Sequence, residues 1–144
     1  MIPFVIKYIK IEDQELFEKI KNAINNLPEI DLGKDEDGEK VILSCHILAR
    51  AIAKAFSLKY QDGYLYPNYQ HSWIITKHGN LIDVYPVAIL GGPILISGTK
   101  NSPIHWHYIK SSTRDISQGK FNKPSFKRSV KIITKEIISK ALKD

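Results

Sequence analysis

The hydrophobic period of this chain changes twice, and those changes limit the folds open to it. Before residue 58 apolar residues recur at helical spacing. Leu16, Ile20, Ala23, Ile24 and Leu27 form one face, predicting a helix capped by Asp13, running to about Leu27 and closed by Pro28. Ile47, Leu48, Ala51, Ile52 and Ala55 form a second face, predicting a buried, central helix over about 45–57 with Ser44 as its N-cap. Gly63 is read as ending a turn through Tyr60-Gln61-Asp62. The period then falls to that of strands: 64–67, 71–77, 81–87, 93–97 and 104–110 are β-branched or aromatic runs separated by Pro, Gly, Asn and Ser. Lys77-His78-Gly79-Asn80 reads as a hairpin turn between the second and third. Helical spacing returns at Ser125, read as a cap. Phe126, Val130, Ile133 and Ile137 point inward and Lys127, Arg128, Lys131 and Lys135 outward, in a helix to about Leu142. Residues 3–11 read as a strand or extended arm, 29–40 as an exposed acidic loop and 111–125 as a further loop. Helices, then an antiparallel sheet, then a helix is the order of an α+β fold.

A chain of 144 residues is long enough for one ordinary core, and one domain over 1–144 is expected. A single cysteine rules out an internal disulfide. The N-terminal apolar run is broken by lysines and lacks a small-residue cleavage site, so no signal peptide is expected. No apolar run approaches the roughly 20 residues of a membrane span. A soluble cytoplasmic protein is therefore expected, with signal-independent secretion as an effector the other option. The net charge of +6 is uneven: residues 1–99 sum to −2 and residues 100–144 to +8. The basic C-terminal region is either a footprint for nucleic acid, anionic lipid or an acidic protein, or the solvated face of a helix.

The chemistry-bearing residues lie between Val41 and Pro86. Cys45 opens the central helix directly after its cap, where unpaired amides and the helix dipole favour a thiolate. His71 begins a strand 26 residues later, and Asp83 lies 12 residues further on in the next. A thiolate nucleophile, an imidazole that moves its proton and a carboxylate that orients the imidazole are the parts of an acyl-transfer site. Whether they meet depends on the hairpin register. A turn centred on Gly79 sets Asp83 opposite Ile75, about 13 Å along the strand from His71 at roughly 3.3 Å per residue. A turn centred on His78 sets Asp83 opposite Trp73, diagonal to His71 on the same face.

The runs S-C-H-I-L-A-R-A-I-A-K-A-F, G-Y, H-S-W-I-I-T and G-N-L-I-D-V-Y-P resemble the core of transglutaminase-like cysteine enzymes, within the papain-like group, over about residues 41–87. Ser44 stands where that family has a glycine near the cysteine. The resemblance implies a papain-like α+β fold and a Cys45–His71–Asp83 triad working through a thioester. Such an enzyme is a protease, amidase, deamidase or transglutaminase acting on a peptide or side-chain amide. It needs no cofactor, and its partner is a peptide or protein substrate.

Tyr64, Tyr66, Tyr69 and Trp73 cluster before and within the His71 strand; they either line a substrate groove or pack over the site. His46 is expected at the rim of the helix or in packing rather than as the base. His105 and His107 form an H-x-H pair on one face of a strand without further ligands at metal-binding spacing. The acidic loop lacks the alternating ligands of an EF-hand. No metal is expected. The alternative function is a non-catalytic binding module on the same fold, holding an acidic protein or nucleic acid through its basic C-terminal helix.

Overall fold

The computed structural model describes residues 9–84, 93–98 and 107–141. The first long helix is α1 (Ile11–Asn25) and the second α2 (Cys45–Phe56). Among the described residues five strands follow: β1 (Lys59–Leu65), β2 (Tyr69–Ile75), β3 (Leu81–Asp83), β4 (Ile94–Ile96) and β5 (Tyr108–Lys110). A short helix α3 (Thr113–Ser117) and a 3-10 turn (Lys120–Asn122) lead into the last helix, α4 (Pro124–Ala141). The strands form one antiparallel sheet in the order β4-β3-β2-β1-β5. The chain is α+β. The expected arm over 3–8, the far end of the third expected strand (85–87) and residues 104–106 of the fifth lie outside the described residues.

Helix α2 starts and stops where its ends are satisfied. The Ser44 hydroxyl accepts from the Ile47 amide at 3.3 Å, and Ser57 adopts a left-handed conformation (φ 56°) beyond the last turn. Ala49, Ala51 and Ala53 are buried, and these small side chains let α2 lie close to the sheet and to α4. Strand alternation divides the sheet's residues. Ile74, Ile82 and Leu95 join the helical core with Phe17, Ile20, Leu48, Ile52, Ile133 and Ile137. Leu65, Trp73, Leu81, Ile94, Ile96 and Tyr108 form a second apolar cluster on the opposite face.

Four expectations change, the first being that 111–125 is not all loop but carries α3 and the 3-10 turn. The stretch 60–63 is not a turn but the middle of β1, and the hairpin turn falls at 66–68, with Leu65 opposite Tyr69. Gly63 serves a close approach instead: a Cβ there would lie 2.0 Å from the Ile109 carbonyl oxygen and 2.6 Å from Cη2 of Trp73. Asp13 does not cap α1, which begins at Ile11. It is buried inside the first turn, where its Oδ2 accepts from the Thr76 hydroxyl at 2.6 Å and the Asn80 amide at 2.7 Å. Ser125 is not the cap of α4. Its amide (2.9 Å) and hydroxyl both donate to the carboxylate of Glu36, which brings the acidic loop onto the positive end of that helix. Serine donation in turn holds the Glu36 carboxyl below its ordinary pKa.

The Asp13 contacts fall on the hairpin turn. Thr76 and Asn80 close the turn, with the Thr76 amide donating to the Asn80 carbonyl at 2.8 Å, and Gly79 takes a positive φ of 81°. The strands beyond pair Ile75 with Leu81 and Ile74 with Ile82, a register centred on His78. Among the described residues no helix is long and apolar enough to cross a membrane.

Candidate active site

The His78-centred register puts Asp83 within reach of His71. His71 Nε2 donates to Asp83 Oδ2 at 2.8 Å, with His71 5% and Asp83 0% exposed. That bond occupies Nε2 and leaves Nδ1 as the other ring nitrogen. Cys45, half-buried at the first position of α2, interacts with the His71 ring and with that of its neighbour His46. Burial pushes the Cys45 thiol up, but hydrogen bonding to His46 and His71 and the charge on both rings outweigh it, bringing its pKa down to about 6. For His71 burial acts downward; its bonds to Asp83 and Cys45 and their negative charges prevail and raise it to about 9. The opposed shifts, Cys45 downward and His71 upward, each caused in part by the other, favour a thiolate beside an imidazolium.

Asp83 has a further buried donor that the sequence reading did not single out. The Tyr108 hydroxyl, from edge strand β5, donates to the same Oδ2 at 2.8 Å. Burial and then the charge and hydrogen bond of Asp83 push the Tyr108 phenol well up, so it remains a donor throughout the working range. Its ring packs edge-on against Trp73, centroids 5.2 Å apart.

A second network reaches Cys45 through His46, which is engaged rather than peripheral. Arg50 binds Asp62 with both arms of its guanidinium, Nη1 to Oδ1 at 3.0 Å and Nη2 to Oδ2 at 2.7 Å, and both residues are buried. Ser72 donates to Asp62 Oδ1 at 2.5 Å and Thr113 to Oδ2 at 2.7 Å. Burial acts upward on the Asp62 carboxyl, and the bonds from Arg50, Ser72 and Thr113 overcome it and hold it below the ordinary range. The single Ser72 proton is committed to Asp62. The 2.6 Å contact between Ser72 Oγ and His46 Nδ1 is therefore a bond donated by His46 Nδ1. Arg50 also donates to the His46 carbonyl at 3.3 Å and stacks over Phe121 and Tyr60, at 4.2 and 4.3 Å. Sequence did carry a signal: Arg50 interrupts the apolar run I-L-A-R-A-I-A, where an unpaired charge would be costly.

The aromatic candidates separate. Tyr66 and Tyr69 are 60% and 58% exposed and Tyr64 is half-buried, so these three face solvent at least in part. Trp73 is fully buried in the second apolar cluster and is packing, not groove lining. His107 is exposed, with its ring 5.5 Å from that of Tyr66, and His105 lies outside the described residues. Among the described residues no three His, Cys, Asp or Glu side chains gather as metal ligands. In the basic C-terminal helix, Arg128 is not free for a partner, because it donates to the carbonyls of Leu32 at 3.0 Å and Lys34 at 2.9 Å. No family model, curated protein or solved structure matches the chain.

Proposed function

We propose that this chain is a thiol-dependent amide hydrolase or acyltransferase of transglutaminase-like, papain-like type, with Cys45 as nucleophile, His71 as general base and acid and Asp83 as the group that orients His71. The observation that carries this is the 2.8 Å His71–Asp83 bond on the sheet beside a cysteine that opens α2 and engages the same imidazole. The acyl donor is a peptide or side-chain amide, and the exposed Tyr66 and Tyr69 are the aromatic surface it meets.

In the first half-reaction the Cys45 thiolate attacks the amide carbonyl carbon, forming a C–S bond and moving the carbonyl pair onto oxygen. The amides of Cys45 and His46 belong to the first turn of α2 and have no intrahelical acceptor, so they suit the developing oxyanion. Collapse breaks the C–N bond, and the amine leaves with the proton held on His71 Nδ1. In the second half His71, now neutral, takes a proton from water or an amine as that nucleophile attacks the thioester, and the thiolate is released.

An activated ester, p-nitrophenyl acetate, tests the nucleophile directly. The expected result is a burst of one nitrophenolate per chain, a hydroxylamine-sensitive acetyl group on Cys45 by mass spectrometry, and a rate rising through about pH 6. Acetyl found on lysines alone, or an equal burst in Cys45→Ala, would overturn the proposal.

A further inference from the structure

A hollow of about 600 Å³ opens between α2 and α4, within the size range of small-molecule sites. Its wall is aromatic, from Tyr60, Phe121 and Phe126, and Lys54, Lys127 and Lys131 border it. No carboxylate lines it, although Arg50 also faces it. The Arg50 charge is answered by Asp62. The three lysines are not: among the described residues the ion pairs are Arg50–Asp62, His71–Asp83 and His78–Glu12. The hollow thus joins uncompensated positive charge to an apolar, ring-lined wall. Arg50 stacks on Tyr60 and Phe121, yet all three rings still line the hollow, so a bare inorganic anion would meet only the ammonium groups and a neutral apolar molecule only the ring wall.

We propose that this hollow binds a small amphipathic anion, a carboxylate or phosphate carried on an aromatic or acyl body. The body packs against Tyr60, Phe121 and Phe126, and the acid is held by Lys54, Lys127 and Lys131. The site goes beyond the thiol chemistry and stands whether or not Cys45 is a nucleophile.

The test is a fluorescence titration of the full chain with 8-anilinonaphthalene-1-sulfonate, followed by competition. Saturable binding is expected, displaced by dodecanoate or dodecyl phosphate, but neither by dodecyltrimethylammonium nor by inorganic phosphate. Whichever of the two acids displaces at lower concentration identifies the headgroup. Lys127→Ala/Lys131→Ala should weaken binding by about tenfold, through loss of two charge-assisted contacts. Lys19→Ala/Lys140→Ala removes the same net charge from outside the hollow and should leave Kd within about twofold. Binding that fails to saturate, displacement by the cationic chain or by inorganic phosphate alone, or equal weakening in the two double variants would each overturn the proposal.

Discussion

Two buried aspartates stand behind the two imidazoles that meet Cys45, and they are wired differently. Asp83 accepts from His71 directly, so its negative charge acts on the ring and raises its pKa to about 9. Asp62 reaches His46 only through the Ser72 hydroxyl, and its charge is already matched by the bidentate Arg50. The first arrangement builds a group that holds and releases a proton. The second fixes a ring in place: the orientation of His46 is set through Ser72 by a neutralised pair. Both rings lower the thiol, but in the proposed chemistry only His71 is equipped to protonate a leaving amine.

The largest effect expected from this contrast is on stability. Asp62→Ala leaves the Arg50 guanidinium buried without its counter-charge and should cost about 3–5 kcal/mol in urea unfolding. The double change Arg50→Met/Asp62→Leu should recover most of that loss, because two apolar side chains remove the uncompensated charge. A cost below about 1 kcal/mol for Asp62→Ala would show that Arg50 finds solvent or another partner and that the pair is not the anchor described here. The pH dependence follows from the depressed Asp62 carboxyl. Its contribution is present above the ordinary aspartate pKa and is lost as pH falls below it, so the wild type should weaken from about pH 4 downward.

The next effect separates the two histidines. His46→Ala and His71→Ala each remove one of the groups that lower Cys45, so alkylation by iodoacetamide at pH 6.5 should slow in both, by about tenfold or more. Alkylation expels iodide, which needs no proton. Amide cleavage expels an amine, which does. Single-turnover acylation by an amide should therefore collapse in His71→Ala while surviving in His46→Ala at the rate set by its remaining thiolate. If the two variants lose amide and alkylation rates in equal proportion, the division of labour between the rings is wrong.

Much of this arrangement was legible from hydrophobic period and caps, and what escaped did so for physical reasons. Ser44, followed by an apolar helical face, marks the start of α2 at Cys45, because N-caps act locally. The hairpin register is another matter. Turns centred on His78 and on Gly79 shift the pairing by two residues, which keeps every side chain on the same face, so alternation cannot distinguish them. The structure's His78-centred choice coincides with the bonds from Asp13, 63 and 67 residues away in the chain, to Thr76 and Asn80. Gly63 misled for a related reason: a glycine in a turn and a glycine under an indole look alike until the neighbouring strand is known. The role of Tyr108 was hidden because its partner Asp83 sits two strands beyond the adjacent β1.

Tyr108 gives the smallest and most specific test. Its hydroxyl shares Asp83 Oδ2 with His71, so it draws on the same lone pairs that hold the imidazolium. Tyr108→Phe keeps the ring against Trp73 and removes only that donor. Stability should fall by about 1–2 kcal/mol, as expected for one buried hydrogen bond to a charged acceptor. With one donor fewer, the Asp83 charge acts more strongly on His71, whose pKa should move above its present value of about 9. The sign in stability follows. A raised histidine stabilises fully below its unfolded pKa and loses that contribution as pH rises through the folded value, so in Tyr108→Phe this loss should come at higher pH than in the wild type. Following the His71 ring signals by NMR across pH 7–11 reads both effects in one titration. A downward shift would mean that Tyr108 chiefly holds Asp83 in place, and that without it the carboxylate swings away from His71.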